Sequence, residues 1–230
     1  MQLNSGFKVN IRDANVSLLQ IQGPKSSALV AEIFGEHILD LRYYWLASVK
    51  FNGIDLIVSR TGWSGELGYE IYLSDFEKGS FLFNEIMKQG ESFSVAAGSV
   101  NQARRIEAGI LSWGVEMSQE ENPYEVNLGR LVEFNDHGKF IGWDAALKYS
   151  KRDQLKSLVG LKMMPPAIES NEKPWLIFNG ENVIGKLTSV AYSPRLKFNI
   201  GLGLVCKQFT KLGTKLLVQG CDENYDAEVV

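Results

Sequence analysis

The chain has 230 residues, 45% hydrophobic and 22% charged, a composition suited to a soluble globular protein with a substantial core. Its net charge of -3 gives no concentrated basic face for nucleic acid, and no apolar run approaches the roughly 18 residues of a membrane span. Cys206 and Cys221 are too few for a disulfide framework or a thiolate metal site. Neither His37 nor His137 stands beside a hydrolase or zinc motif, so no metal is expected and both histidines read as surface residues. "MQLNSGFKVNIRD" lacks the charged start and apolar core of a signal peptide, and the expectation is a cytoplasmic, reducing compartment.

In chain order, "FKVNI" and "VSLLQIQG" read as strands with a polar break between them. "GPKSSALVAEIFG" follows as a helix with Pro24 in its first turn and Gly35 as its stop. "YYWLASVKFNGIDLIVSRTG" places two β-rich runs around Asn52-Gly53, a pair suited to a type I′ hairpin turn. "DFEKGSFLFNEIMKQG" reads as an amphipathic helix carrying Phe76, Phe81, Phe83, Ile86 and Met87 and closed by Gly90. "SVNQARRIEAGILSWG" predicts a helix ending near Gly109, and "WDAALKYS" a short helix after a glycine turn. Beyond "SKRDQLKS" the helical periodicity stops. "LVGLKM", "WLIFNG", "NVIGKLTSVAYS", "NIGLGLV", "TKLLVQG" and "YDAEVV" are short strands, with a hairpin expected at Asn179-Gly180 and a small sandwich or barrel as the outcome. The fold class is therefore α+β, with an α/β domain over 1–152 and an all-β domain over 153–230.

One stretch carries more than fold. "SRTGWSGELGYEIYL" is longer than a hairpin turn requires, and it returns to strand through Tyr69, Ile71 and Leu73. Alternation puts Glu70 and Tyr72 together on the opposite face. With Trp63 in the preceding turn, that face can hold a flat, nitrogen-rich ligand, or it is the polar outer side of an ordinary sheet.

The order of "LLQIQGPKS", "SRTGWSGELGYEIYL", "ARRIEAGILSWGVEM", "NPYEVNLGRLVEFNDHGKFIGWDAAL", "GKLTSVAYSPRLKFNIGLGLV" and "AEVV" resembles the glycine-cleavage T-protein (aminomethyltransferase) family over nearly the whole chain. "NQARRIEAGILSWGVEMSQEENPYEVNLGR" and the tryptophan of "TGWSG" look most like its dimethylsulfoniopropionate demethylase branch. The resemblance implies an antiparallel-sheet folate-binding domain followed by a β-barrel. It also implies tetrahydrofolate as cofactor and a small one-carbon donor, either a sulfonium or an aminomethyl carrier.

Residue by residue, the resemblance makes Glu70 the pterin ligand, since one carboxylate can accept from the parallel ring N–H and exocyclic amine. Trp63 and Tyr72 would add flat apolar surface. Arg105 falls at the folate site by resemblance, with a helix-surface ion pair to Glu107 or Glu66 as the alternative. Tyr192, Ser193 and Arg195 match a loop facing the cofactor cavity, or they form a plain proline turn. The iron–sulfur maturation branch of the superfamily carries a cysteine motif absent from "HGKFIGWDAA". Set against the family, the chain reads as truncated at its N-terminus, so the aspartate credited with catalysis is not among these residues and the catalytic group stays unknown. Two further expectations follow: self-association through exposed surface, and a folate-binding fragment without activity of its own as an alternative function.

Overall fold

The structure, a computed structural model, describes residues 8, 10, 13–135, 138–221 and 223–230. The strand expected over 7–11 and the surface position expected for His137 lie largely or wholly outside those residues, while His37 is exposed. The chain forms two compact units, residues 1–100 and 101–230. No described helix is long and apolar enough to cross a membrane.

The first unit is an antiparallel sheet with helices on one side. β1 (Ser17–Gln22), β2 (Leu46–Phe51), β3 (Ile54–Ser59) and β4 (Gly68–Leu73) run in the order β1-β4-β3-β2. The β2–β3 hairpin turns at Asn52 and Gly53, with φ of 49° and 78°. Positive φ at both central residues is what a type I′ turn demands. Inward-facing Val58, Tyr69, Ile71 and Leu73 pack against Leu29, Val30 and Ile33 of α1 (Ser26–Phe34) and Leu82 and Ile86 of α2 (Gly79–Gln89). Pro24 lies just before α1 and Gly35, at φ 96°, ends it.

α2 corrects one expectation. Phe76, Phe81 and Phe83 are exposed, and the i, i+4 pair Leu82 and Ile86 is the buried stripe. Gly90 closes the helix in a right-handed conformation, not the left-handed one typical of a glycine stop.

In the second unit, β5 (Lys156–Met163), β6 (Trp175–Asn179), β7 (Asn182–Ser193), β8 (Phe198–Cys206), β9 (Lys215–Gln219) and β10 (Asn224–Val229) close a barrel in the order β10-β5-β8-β7-β6-β9. This resolves the choice between sandwich and barrel. The β6–β7 turn is Gly180-Glu181, since Asn179 pairs with Asn182. Gly180, at φ 59°, takes the first central position, as a type II′ turn prefers.

Residues 101–155 group with the barrel by their contacts. α3 (Gln102–Glu107) sets Ala103 and Ile106 against Ala191, Ile200, Leu202 and Leu204 of the barrel. Leu158 donates its backbone N–H to Glu125 (2.7 Å), and Asn127 Nδ2 donates to the Leu158 carbonyl (2.8 Å), so this segment runs along β5. α4 (Trp143–Ser150) buries none of its residues.

Glu121 anchors that segment. Its side chain is 1% exposed and meets Lys156 Nζ at 3.1 Å and Lys186 Nζ at 3.5 Å. It also accepts from the Ser118 amide (2.9 Å) and hydroxyl (2.8 Å). Burial pushes its pKa up, but the Ser118 and Lys156 hydrogen bonds and the lysine charge outweigh that and bring it from 4.5 to about 2. A carboxylate whose pKa is lowered by folding contributes stability above its unfolded value and loses it as pH falls through the folded one. The contribution, at most about 3 kcal/mol and reduced by salt, is therefore expected to disappear between pH 4.5 and 2. Urea midpoints at pH 6 and pH 3 for wild type and Glu121→Gln test this. The difference between the two proteins should shrink at the lower pH, and a constant difference would contradict it.

Candidate functional site

The sheet's second face is open and carries the polar cluster. Register places Gln20, Glu70 and Ser59 side by side, with Leu18, Tyr72 and Ile57 in the adjacent row. Glu70 Oε1 accepts from Gln20 Nε2 (2.9 Å), and Oε2 accepts from the Tyr72 hydroxyl (3.1 Å) and the Thr61 hydroxyl. Thr61 is bonded in turn to Ser59 Oγ. A charged carboxylate is thus held in one orientation on a solvent-reaching surface by three side-chain donors. Burial first, then the Glu70 charge, pushes the Tyr72 phenol above its ordinary pKa, so it stays a hydrogen-bond donor at neutral pH.

Aromatic surface flanks the cluster. Arg42 lies over the Trp45 ring at 5.1 Å, and the Tyr43 and Tyr44 rings are 4.3 Å apart. Backbone bonds Tyr44 N→Arg60 O and Arg60 N→Trp45 O attach this exposed run to the end of β3. Tyr43 has its pKa raised by its hydrogen bond to Tyr44, by partial burial and, least, by the Glu70 charge. Trp63 is half-buried in the loop leading into β4. Below Tyr72 a hollow of about 520 Å³ is bordered by Val16, Ser48, Lys50, Asp55 and Ile57. Exposed Leu18 and Leu46 lie on the same face.

The other candidates lie in the second unit. Arg105 is 2% exposed and Glu116 0%. All five guanidinium N–H groups are engaged: Nε to Gln102, NH1 to the Ile110 carbonyl (3.1 Å) and Glu116 Oε2 (3.1 Å), NH2 to Glu116 Oε1 (3.4 Å) and Ser189 (2.6 Å). Glu116 also accepts from the Ser112 amide (2.7 Å), Thr188 (3.3 Å) and Ser189. The ion pair of Arg105 is thus with Glu116, while Glu107 pairs with Arg195 at 2.9 Å and accepts from Ser193. Arg105 borders a polar cavity of about 270 Å³ that Gln102, Asn171, Glu172, Thr188 and Ser189 also line. Tyr192 is half-buried near the end of β7, beside the Ser193–Leu196 turn.

Glu70 and Tyr72 therefore share one cluster in the first unit, with Trp63 in its adjoining loop. Arg105, Tyr192 and Arg195 lie in the second. Sequence reasoning missed Gln20 and Thr61, which donate to Glu70. Neither Gln20 nor Thr61 could be assigned from local pattern, because only the β1–β4 and β3–β4 pairing brings them to Glu70. Glu116 gave no local signal. Among the described residues no cluster of His, Cys, Asp or Glu is arranged to hold a metal.

An open antiparallel sheet bearing an oriented carboxylate, with a closed six-stranded barrel, defines the class. Residues 1–136 match the GCVT N-terminal domain and residues 156–230 the glycine cleavage T-protein C-terminal barrel domain. The chain belongs to the glycine cleavage T-protein family. It is 33% identical over 220 residues to dimethylsulfoniopropionate demethylase DmdA of Ruegeria pomeroyi, covering 94% of this chain and 59% of that one. It is 36% identical over 214 residues to the aminomethyltransferase of Aquifex aeolicus, covering 92% and 56%. For the aminomethyltransferase of Caldanaerobacter subterraneus subsp. tengcongensis the figures are 32% over 221 residues, 94% and 58%. The crystal structure of glycine cleavage system aminomethyltransferase T from Bartonella henselae superposes with a TM-score of 0.82 at 22% identity, over 99% of this chain and 62% of that one, a match of fold. The chain thus spans about three fifths of the length of the curated relatives it matches.

Proposed function

We propose that the chain binds tetrahydrofolate and serves one-carbon transfer, with methyl transfer from a sulfonium such as dimethylsulfoniopropionate as the first reading. Aminomethyl transfer is the second reading, supported by the relatives named aminomethyltransferase. The observation that carries the proposal is the Glu70 carboxylate. It offers about four acceptor directions, of which Gln20, Thr61 and Tyr72 take three, leaving one on Oε1. One ligand N–H fits directly, and a second fits when Tyr72 turns its hydroxyl aside. The free acceptor positions therefore suit the N–H edge of a pterin.

When bound, tetrahydrofolate would supply the N5 lone pair that receives the one-carbon unit. Glu70 would bind and orient the ring edge, while Tyr72, Trp63 and Tyr43 would offer flat surface and exclude water. Fixing the acceptor in line with the donor carbon is worth several kcal/mol. A sulfonium already carries a good leaving group, the neutral thioether released when the methyl C–S bond breaks, so the methyl reading asks little acid–base help of this chain. Arg105, Tyr192 and Arg195 stay in the proposal as second-unit ligands of the folate, Arg105 on condition that it exchanges one of its present bonds. A domain boundary near residue 152, a cytoplasmic location and self-association through exposed surface belong to the same reading.

Calorimetric titration with 5-formyltetrahydrofolate, an air-stable analogue, tests binding, with micromolar to millimolar affinity expected. Heats indistinguishable from dilution would overturn the proposal. Mass analysis of the folate after incubation with dimethylsulfoniopropionate separates the readings, because 5-methyltetrahydrofolate forms only if the sulfonium is a donor.

A further inference from the structure

Gln22 ends β1 opposite Gly68, on the same sheet face as Gln20 and Glu70. A glutamine there would ordinarily extend into water. Its carboxamide instead lies across Gly62 and Gly68, where a Cβ on either glycine would fall on the amide group. Neither glycine has a left-handed φ, so backbone conformation does not call for glycine at these positions. Room for the Gln22 side chain does.

The amide is also bonded at both ends. Nε2 donates to the Thr61 carbonyl (3.3 Å) and Oε1 accepts from the Ser64 hydroxyl (2.7 Å). Those partners flank Gly62-Trp63, so one side chain grips the loop on either side of Trp63. Ser64 Oγ accepts from the Glu66 amide as well (3.2 Å), which carries the restraint further along the loop. Thr61, held by its carbonyl, sends its hydroxyl to Glu70 Oε2. From this chain of contacts we infer that Gln22 is a positioning residue for the ligand site. It fixes the Thr61–Ser64 loop and, through Thr61, the orientation of the Glu70 carboxylate.

The inference deepens the folate reading and rests on it for the binding arm only. Gln22→Met keeps length and volume but removes both amide bonds, and Gly62→Ala evicts the carboxamide without altering it. Both variants are expected to raise backbone hydrogen exchange over residues 61–66 at least tenfold while β3 and β4 keep their protection. Both should also weaken 5-formyltetrahydrofolate about tenfold. Gln22→Glu, which faces the Thr61 carbonyl with a second acceptor, should match or exceed Gln22→Met. Unchanged exchange over 61–66 in Gln22→Met overturns the inference, as does a uniform rise across the whole sheet, which is the mark of general destabilisation. If Glu70→Gln leaves folate binding intact, the folate reading falls, and the exchange arm still decides the role of Gln22.

Discussion

Arg105→Leu is expected to destabilise the second unit by about 3–5 kcal/mol. Removing the guanidinium leaves the Glu116 carboxylate, 0% exposed, without its countercharge. Gln102, the Ile110 carbonyl and Ser189 also lose a donor. Most of the cost comes from the stranded charge, because a buried pair gains little net energy over apolar packing of the same shape. The double variant Arg105→Leu, Glu116→Leu should therefore recover a good part of the loss, although the Ser112 amide and Ser189 would still need new partners. Urea unfolding of the two singles and the double completes a double-mutant cycle. Additive losses would mean that Arg105 and Glu116 act independently, contrary to their geometry.

Glu70→Gln is expected to weaken tetrahydrofolate analogues by about 2–3 kcal/mol, roughly thirty- to more than a hundredfold, with little change in stability. The split follows from the partners. Thr61 and Tyr72 present hydroxyls, which can rotate to accept from the new amide, and Gln20 can turn its carboxamide over. The protein side of the cluster thus tolerates the exchange. A pterin edge has fixed N–H donors and does not. Titration calorimetry paired with thermal unfolding reads both quantities. Equal affinities would return this face to the status of a polar sheet surface, and a large fall in stability would make Glu70 a structural residue.

The features legible in the sequence are those with local causes. Asn52-Gly53 dictates its own turn, and the alternation through Tyr69, Glu70, Ile71, Tyr72 and Leu73 assigns faces without knowledge of any neighbour. Six short strands ending in turn residues read as one closed or stacked sheet. What failed depended on which of two chemically equivalent choices the tertiary structure selects. α2 offers Phe83 and Met87 as well as Leu82 and Ile86 at helical spacing, and only the packing against the sheet decides for the latter. Arg105 has Glu107 two residues away, yet Glu107 turns to Arg195 and Ser193, and Glu116 closes back on Arg105 through an irregular segment. Gln20 and Thr61 could be named as partners of Glu70 only once the β1–β4 and β3–β4 registers were known. Long-range pairing carries no sequence period, so pattern reading put Glu70 and Tyr72 on one face and missed the side chains from other segments that bond to Glu70.

Closure of the barrel has a consequence for how the second unit is made. The pairing that seals it joins β5, near residue 160, to β10, the last described strand, with Ala227 opposite Met163 and Val229 opposite Leu161. Contacts that far apart in the chain form late and slowly, because the loop between them must be ordered before the pairing returns any energy. During synthesis the sheet of the first unit has all its described strands by Leu73. β5 and β9 must wait with unpaired edges until β10 is available. The interval in which the chain is most exposed to strand-to-strand association with other molecules therefore lies between the synthesis of β5 and that of β10.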